Sequence, residues 1–254
     1  MHGGHKETLA RGKFNHRRTV GMPRFSLFAV FALTHAAVDL IIDTDMSIDV
    51  DDVGMLCAAH ALADLEEARI LAVLHDAAAT NGAGAISVIN RYYGRGHIPV
   101  GAYKGKVGAP DQPDWPNAEA HWTHGGRGVY VDDLVANFSS AFGDISDSPD
   151  ALSVFRTALA NAGDQTVVIV AVGFPTNLLD LLRSPADGVS PLPGSALIQR
   201  KVKKLVYMGG RHDHVGANRT QPIEWNFGAG GHQMDGCRDG CGAYDQVGAM
   251  TQVR

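Results

Sequence analysis

Short apolar runs alternate along this chain with longer stretches rich in alanine and leucine. The short runs are typical of buried β-strands, and they occupy residues 39–44, 69–76, 98–103, 165–173 and 203–210. The longer stretches carry helix-forming residues with capping or stop signals at their ends, and they occupy residues 51–67, 84–94, 148–163 and 175–184. Strands and helices that alternate in this way predict an α/β fold, with a mostly parallel, Rossmann-like sheet and helices on both faces.

The N-terminus has a different pattern. Residues 1–24 are polar and basic, and an apolar run, FSLFAVFALTHAA, follows at residues 25–37. A basic stretch before an apolar run that ends in small residues is typical of a signal peptide, and the run is short for a membrane span. We therefore expect a leader over residues 1–38, a domain over residues 39–254, and a secreted protein without a membrane anchor. The alternative for the apolar run is a first β-strand that follows an irregular N-terminal segment, and the alternative location is cytoplasmic.

Composition narrows the class of protein. Hydrophobic residues make up 45% and charged residues 19% of 254 residues, which is an ordinary globular balance. The net charge of −5 argues against a general affinity for nucleic acid. Three cysteines do not form a disulfide framework, and a lone CxxxC pair is a poor zinc signal. Residues 104–130, rich in Gly, Pro, Trp and His, predict a long loop.

The candidate catalytic and binding residues lie at the polar ends of the predicted strands. The segment LIIDTDMSIDVDD has five aspartates within residues 43–52, and neither lysine nor arginine occurs between Arg24 and Arg69. Crowded carboxylates either take up protons or are neutralised by a cation. Calcium and magnesium prefer oxygen ligands, and the run contains no Cys or His that would suit zinc. Helix capping alone would account for Asp49, Asp51 and Asp52, but not for the two aspartates at the strand end.

Two chemistries fit this cluster. The spacing Asp43-x-Asp45 resembles the DxDx[TV] motif of haloacid-dehalogenase-like phosphatases, which use magnesium and attack phosphorus with the first carboxylate. Alternatively, the whole run holds one cation and its water, whose pKa the metal lowers and whose proton a carboxylate accepts.

Later motifs separate these alternatives. IVAVGFPTNLLDLL (169–182), LVYMGG (205–210) and IEWNF (223–227) follow the aspartate run in order. Together with DTDMSIDVDD they resemble the inosine-uridine-preferring nucleoside hydrolase family, with its DTDxGxDD, xGPLTNLA, VxMGG and EFN motifs. The resemblance covers residues 39–230, and ordered motifs are far more specific than one alone. The phosphatases would also be expected to have a later lysine and a GDxxxD acidic motif, and we place neither in this sequence.

The resemblance implies an enzyme that binds Ca²⁺ and cleaves the N-glycosidic bond of ribonucleosides. It makes Asp45 a metal ligand that also activates the attacking water. It implies that Asp52 is a bidentate metal ligand and that the backbone carbonyl of Val172 also binds the metal.

The resemblance also implies a set of ribose contacts. Asp51 matches one of them, although a loop two residues longer than the family's makes Asp49 an alternative. Asp76 stands where the family usually has an asparagine that contacts the ribose. The residues that match the family around the EFN motif are Asn218, Glu224 and Asn226, with Trp225 placed to pack against the sugar or base.

The implied partner is a small-molecule nucleoside, and family members often form dimers or tetramers, so a homo-oligomer is a further expectation. The family pattern continues beyond EFN with a late aspartate for the metal. Because Arg254 follows soon after EWN, we expect the final elements of the fold to be missing. A non-catalytic homolog is therefore an alternative to an active enzyme.

Overall fold

The computed structural model describes residues 36–47, 50–76, 81–104, 130–142, 147–209 and 226. Five strands in this part of the chain form one sheet, and every pairing between neighbours is parallel. They are β1 (Val38–Thr44), β2 (Ala68–His75), β3 (Val100–Ala102), β4 (Val167–Ala171) and β5 (Val202–Tyr207). The predicted parallel sheet is therefore confirmed. The expected leader lies outside the described residues as far as residue 35, so secretion stays a prediction.

Six helices accompany these strands in the described ranges. They are α1 (Asp51–Asp64), α2 (Gly82–Tyr92), α3 (Tyr130–Asn137), α4 (Ala151–Asn161), α5 (Thr176–Arg183) and α6 (Gly194–Lys201). The sequence predicted α1, α2, α4 and α5 but neither α3 nor α6. Both missed helices have only eight residues, and α6 buries two apolar side chains, Leu197 and Ile198. A helix with so few buried apolar residues gives only a weak helical periodicity in the sequence. Residues 105–129 of the predicted loop lie outside the described residues.

The sheet separates two apolar cores, as side chains that alternate along β1 show. Leu40 and Ile42 pack on one face with residues of α1, α2 and α3. Ile41 packs on the other face with residues of α4, α5 and α6. Successive side chains of a strand point to opposite faces. The predicted layer arrangement, with helices on both faces, is confirmed.

The start of α1 does not follow the capping interpretation of the aspartates. The N-cap is Val50, without a side-chain hydrogen bond, and Asp51 and Asp52 lie in the first turn. An acidic side chain there still interacts favourably with the helix dipole. In contrast, Asp150 caps α4 by accepting a hydrogen bond from the backbone N–H of Ser153 at 3.0 Å.

The strands lie in the order β3-β2-β1-β4-β5, and the central strand β1 pairs with both β2 and β4. The chain adds β2 and β3 on one side of β1 and then β4 and β5 on the other, so β1 is the topological switch point. Ligands of open α/β sheets bind beyond the carboxyl ends of the strands at such a switch point. A ligand site is therefore expected at the residues that follow β1, β2 and β4. No helix within the described ranges has the length and apolar character needed to span a membrane.

Candidate functional site

Backbone hydrogen bonds hold three strand ends together at the switch point. The N–H of Asp76, just after β2, donates to the carbonyl of Thr44 at 3.0 Å. On the other side, the N–H of Val172, just after β4, donates to the carbonyl of Asp43 at 2.9 Å. The aspartates at the end of β1 therefore lie between Asp76 and Val172, which are distant in sequence.

Asp43 is a buried structural anchor of the site. Its side chain has no solvent exposure, and its Oδ1 accepts a hydrogen bond from Nδ2 of Asn177 at 2.8 Å. Burial raises the pKa of Asp43 to about 8, and the Asn177 hydrogen bond lowers it by less. A carboxyl group that is fully enclosed is poorly placed to attack a substrate, so the geometry does not favour the phosphatase alternative.

Asp45 and Asp52 differ in their environment. Asp45 is half-buried, whereas Asp52 is buried in the first turn of α1. The hydroxyl of Thr44 donates a hydrogen bond to Oδ1 of Asp52, and it accepts one from the N–H of Met46 at 3.3 Å. Thr44, which the sequence analysis did not single out, thus ties the strand end to the start of α1. Asp51 is exposed beside them.

Asp76 is a buried carboxyl group of the site, just after β2. Its side chain is wholly buried, and within the part of the chain that the structure describes the one hydrogen-bonding group that favours its charged form is the backbone N–H of Phe174. Burial raises the pKa of Asp76 well above its ordinary value, and the negative charges of Asp43, Asp45 and Asp52 raise it further. The backbone N–H of Phe174, which lowers that pKa, has the smallest influence. A lone charge here would be costly without a cation.

Gly173 explains how these groups come so close together. A methyl group at this position would lie 2.5 Å from the backbone nitrogen of Asp45 and 2.5 Å from Oδ2 of Asp76. Any side chain would therefore displace the acidic groups. The glycine of the VGFPTN segment is thus required by close packing at the site.

His75 and Tyr207 enclose the acidic groups, and the sequence analysis gave neither a role in the site. The Nε2–H of His75 donates to the carbonyl of Met46 at 3.2 Å, and complete burial lowers the pKa of His75 to about 4. The pKa of Tyr207 is raised, first by burial and then by the charges of Asp43 and Asp76. Both side chains are therefore neutral at neutral pH. The burial of His75 arises from the pairing of β2 with both of its neighbours, which no local sequence signal reports.

Asn226 meets the end of β4 from a distant part of the chain. Its Nδ2 donates to the carbonyl of Val172 at 2.7 Å and to the carbonyl of Met208 at 2.8 Å. A carbonyl oxygen has two lone pairs, so this hydrogen bond leaves Val172 with capacity for a second partner. The remaining predicted ribose contacts, Asp49, Asn218, Glu224 and Trp225, lie outside the described residues.

The donor atoms suit a hard cation better than a transition metal. They are carboxylate and carbonyl oxygens, and Oδ2 of Asp43 is buried without a hydrogen bond among the described residues. Calcium and magnesium prefer such ligands. Over the same ranges, no group of three or more His, Cys, Asp or Glu side chains is arranged to hold a metal ion. The described residues thus offer suitable oxygens but not a complete coordination cage.

Comparisons with known proteins identify the family. Residues 40–231 match the family model described as inosine-uridine preferring nucleoside hydrolase, which is more than half of the 254 residues. The chain belongs to this family. The resemblance stated from the sequence is confirmed. A comparison with curated proteins gave no match.

Two effector proteins of solved structure share the fold of this nucleoside hydrolase domain. The effector protein XOO4466 has 14% identity and a TM-score of 0.57, over 84% of this chain and 53% of that protein. The type III effector XopQ, in complex with adenosine diphosphate ribose, has 15% identity and a TM-score of 0.58, over 84% and 54%. A nucleoside hydrolase from Bacillus anthracis has 20% identity and a TM-score of 0.48, over 73% and 54%. The chain spans about half the length of these structural relatives.

Proposed function

We propose that this nucleoside hydrolase domain hydrolyses the N-glycosidic bond of ribonucleosides, giving ribose and the free base. The observation that carries the proposal is the family match over residues 40–231. The positions of the acidic side chains support it, because they gather beyond the carboxyl ends of the central strands. Parallel α/β sheets bind ligands at that place.

A calcium ion is the cofactor we propose. Asp45, Asp52 and the carbonyl of Val172 would hold it, since all three supply the oxygen atoms that calcium prefers. When bound, such an ion would orient a coordinated water and lower its pKa, so that a carboxylate could accept its proton more readily. We assign the removal of a proton from that water to Asp45. Asp45 is partly exposed, whereas Asp43 and Asp52 are buried.

The remaining residues bind the sugar and stabilise its charge. Cleavage of the bond develops positive charge on the ribosyl group, which fixed carboxylates stabilise electrostatically. We assign the ribose hydroxyls to Asp51 or Asp49 and to the set matched by the family, Asn218, Glu224 and Asn226, with Trp225 against the sugar or base. Polar groups that bind a hydroxyl are left unpaired by a substrate that lacks it. We therefore expect 2′-deoxyribonucleosides to be poor substrates. A homo-oligomer stays a prediction.

Release of ribose from inosine and uridine in the presence of Ca²⁺ tests the proposal. The full chain should produce reducing sugar, and Asp45→Asn should lower kcat by about 100-fold or more, the contribution usual for a general base. Asp64→Asn makes the same chemical change in an exposed side chain at the end of α1 and should leave kcat unchanged.

The outcome separates the enzyme from a non-catalytic homolog. A chain that releases no ribose from either nucleoside, although it is folded and calcium is present, would refute the hydrolase proposal. Ribose release that survives Asp45→Asn would leave the hydrolysis intact but remove Asp45 as its general base.

A further inference from the structure

The side chain of Asn226 joins the ends of two neighbouring strands. Its Nδ2 donates to the carbonyl of Val172, just after β4, at 2.7 Å and to the carbonyl of Met208, just after β5, at 2.8 Å. Asn226 is itself buried. An amide nitrogen carries two hydrogens, so the backbone uses both of them. Only the amide oxygen, as an acceptor, could then serve a ribose hydroxyl.

The two carbonyls lie where the pairing of β4 and β5 stops. The last pair in their register is Ala171 with Tyr207, and the N–H of Met208 still donates to the carbonyl of Ala171 at 2.9 Å. The carbonyls of Val172 and Met208 fall beyond this ladder, and backbone carbonyls that are removed from water need a donor. The amide of Asn226 provides a donor for each of them and so connects the two strands by one further step.

Val172 connects this contact to the aspartates at the end of β1. Its N–H donates to the carbonyl of Asp43 at 2.9 Å, so both polar groups of its backbone are held. The next residue, Gly173, packs so closely that an added methyl group would lie 2.5 Å from the backbone nitrogen of Asp45. A shift of the segment Val172–Gly173 would therefore displace Asp45 or leave a gap beside it.

We propose that Asn226 is a positioning residue, which fixes the ends of β4 and β5 and, through Val172 and Gly173, the position of Asp45. The inference rests on the proposed function for the role of Asp45 as the base, and it adds a task within the protein to the ribose contact that the family resemblance implies for Asn226. A general base must lie within hydrogen-bonding reach of the proton that it accepts. A misplacement of about 1 Å can lower a rate about 100-fold.

Asn226→Asp separates the two tasks of this side chain. The variant keeps its size and an acceptor oxygen for a ribose hydroxyl, but it replaces the nitrogen that binds both carbonyls. In the full chain, kcat for inosine should fall by about 100-fold, while KM should change little. We expect the same loss with 2′-, 3′- and 5′-deoxyinosine, because it arises from the position of Asp45 and not from a ribose hydroxyl. Asn161→Asp, the same change in an exposed side chain at the end of α4, should leave both constants unchanged.

Amide hydrogen exchange tests the contact without reference to activity. The N–H groups of Val172 and Met208 form the last hydrogen bonds of their strands. Both should exchange about tenfold faster in Asn226→Asp than in the wild type, because the carbonyls of the same residues have lost their donor. The N–H of Ile169, in the middle of β4, should exchange at the same rate in both proteins.

The outcomes distinguish this inference from the proposed function. Unchanged exchange at Val172 and Met208 would overturn it, even if ribose is still released. A loss of kcat that disappears with one of the deoxy analogues would also overturn it, because the effect would then act through that hydroxyl. If the wild type releases no ribose, the hydrolysis is refuted, and exchange at the two strand ends alone decides the role of Asn226. Asn226→Ser, which is smaller and uncharged, replaces Asn226→Asp if that variant does not fold.

Discussion

Arg156 provides the sharpest stability prediction. This residue of α4 is buried, with 1% of its side chain exposed, and its guanidinium group binds the connection between α5 and α6. It donates to Oγ of Ser184 at 2.7 Å and to the carbonyls of Ser190 and Leu192 at 3.3 and 3.0 Å. It also forms two hydrogen bonds to the carboxylate of Asp187, at 2.7 and 2.9 Å.

Arg156→Met keeps the apolar stem of the side chain and removes every donor. The three hydrogen bonds to the hydroxyl and carbonyl oxygens contribute about 1 kcal/mol each, which gives about 3 kcal/mol in total. The guanidinium group lowers the pKa of Asp187 to about 2. We count no energy for that pair, because 39% of the Asp187 side chain is exposed and solvent screens the attraction. The expected loss of unfolding free energy is therefore about 3 kcal/mol.

Urea unfolding followed by circular dichroism measures this loss. The matched control is Arg200→Met, because Arg200 also pairs with an aspartate, Asp164, but both partners are about half exposed. Surface pairs of this kind contribute less than about 1 kcal/mol. In amide hydrogen exchange, the backbone amides between Ser184 and Leu192 should exchange faster in Arg156→Met than in the wild type, but not in Arg200→Met.

A result for Arg156→Met within about 1 kcal/mol of the wild type, or equal to that of Arg200→Met, would refute the reasoning. It would mean that the buried acceptors find other partners once the guanidinium group is gone.

Two further predictions concern the site. Gly173→Ala should destabilise the chain by about 1–3 kcal/mol in urea unfolding, because its methyl group would overlap Asp45 and Asp76; Gly54→Ala, with open space around the added atom, should be neutral or stabilising. The pKa of His75 is lowered from 6.5 to about 4 in the folded protein. As the pH falls from 6.5 to 4, the histidine takes up a proton in the unfolded chain but stays neutral in the folded one. The free energy of unfolding should therefore decrease over this range, by up to about 3 kcal/mol. The stability difference between wild type and His75→Gln across this range isolates the effect, and a difference independent of pH would contradict it.

The sequence was most informative where the signal is local. The β-strand runs and the ordered motifs predicted the parallel sheet, and the aspartate run of residues 43–52 indicated where the site lies. Parallel pairing then brings the carboxyl ends of the strands to one edge, which is a general property of such sheets. The position of the site therefore followed from the fold class.

The partners within the site could not be predicted in the same way. The contact between Asn177 and Asp43 joins residues 134 positions apart, and the surroundings of Asp76 depend on the close approach of Gly173. The hydrogen bonds that Asn226 donates to two backbone carbonyls were likewise unexpected, since the motif suggested a ribose contact. Such contacts arise from long-range packing and cannot be predicted from the local sequence pattern.

The central position of β1 has a consequence for how the chain folds. Its partner β4 is distant in sequence, as the hydrogen bond from Thr166 to Asp39 across 127 residues shows. During synthesis on a ribosome, β1 can pair with β2 early, but its other edge remains open until β4 emerges. Closing so long a loop is slow, and an apolar open edge invites aggregation in the interval. We therefore expect the nascent chain to depend on a chaperone that shields this edge until β4 arrives.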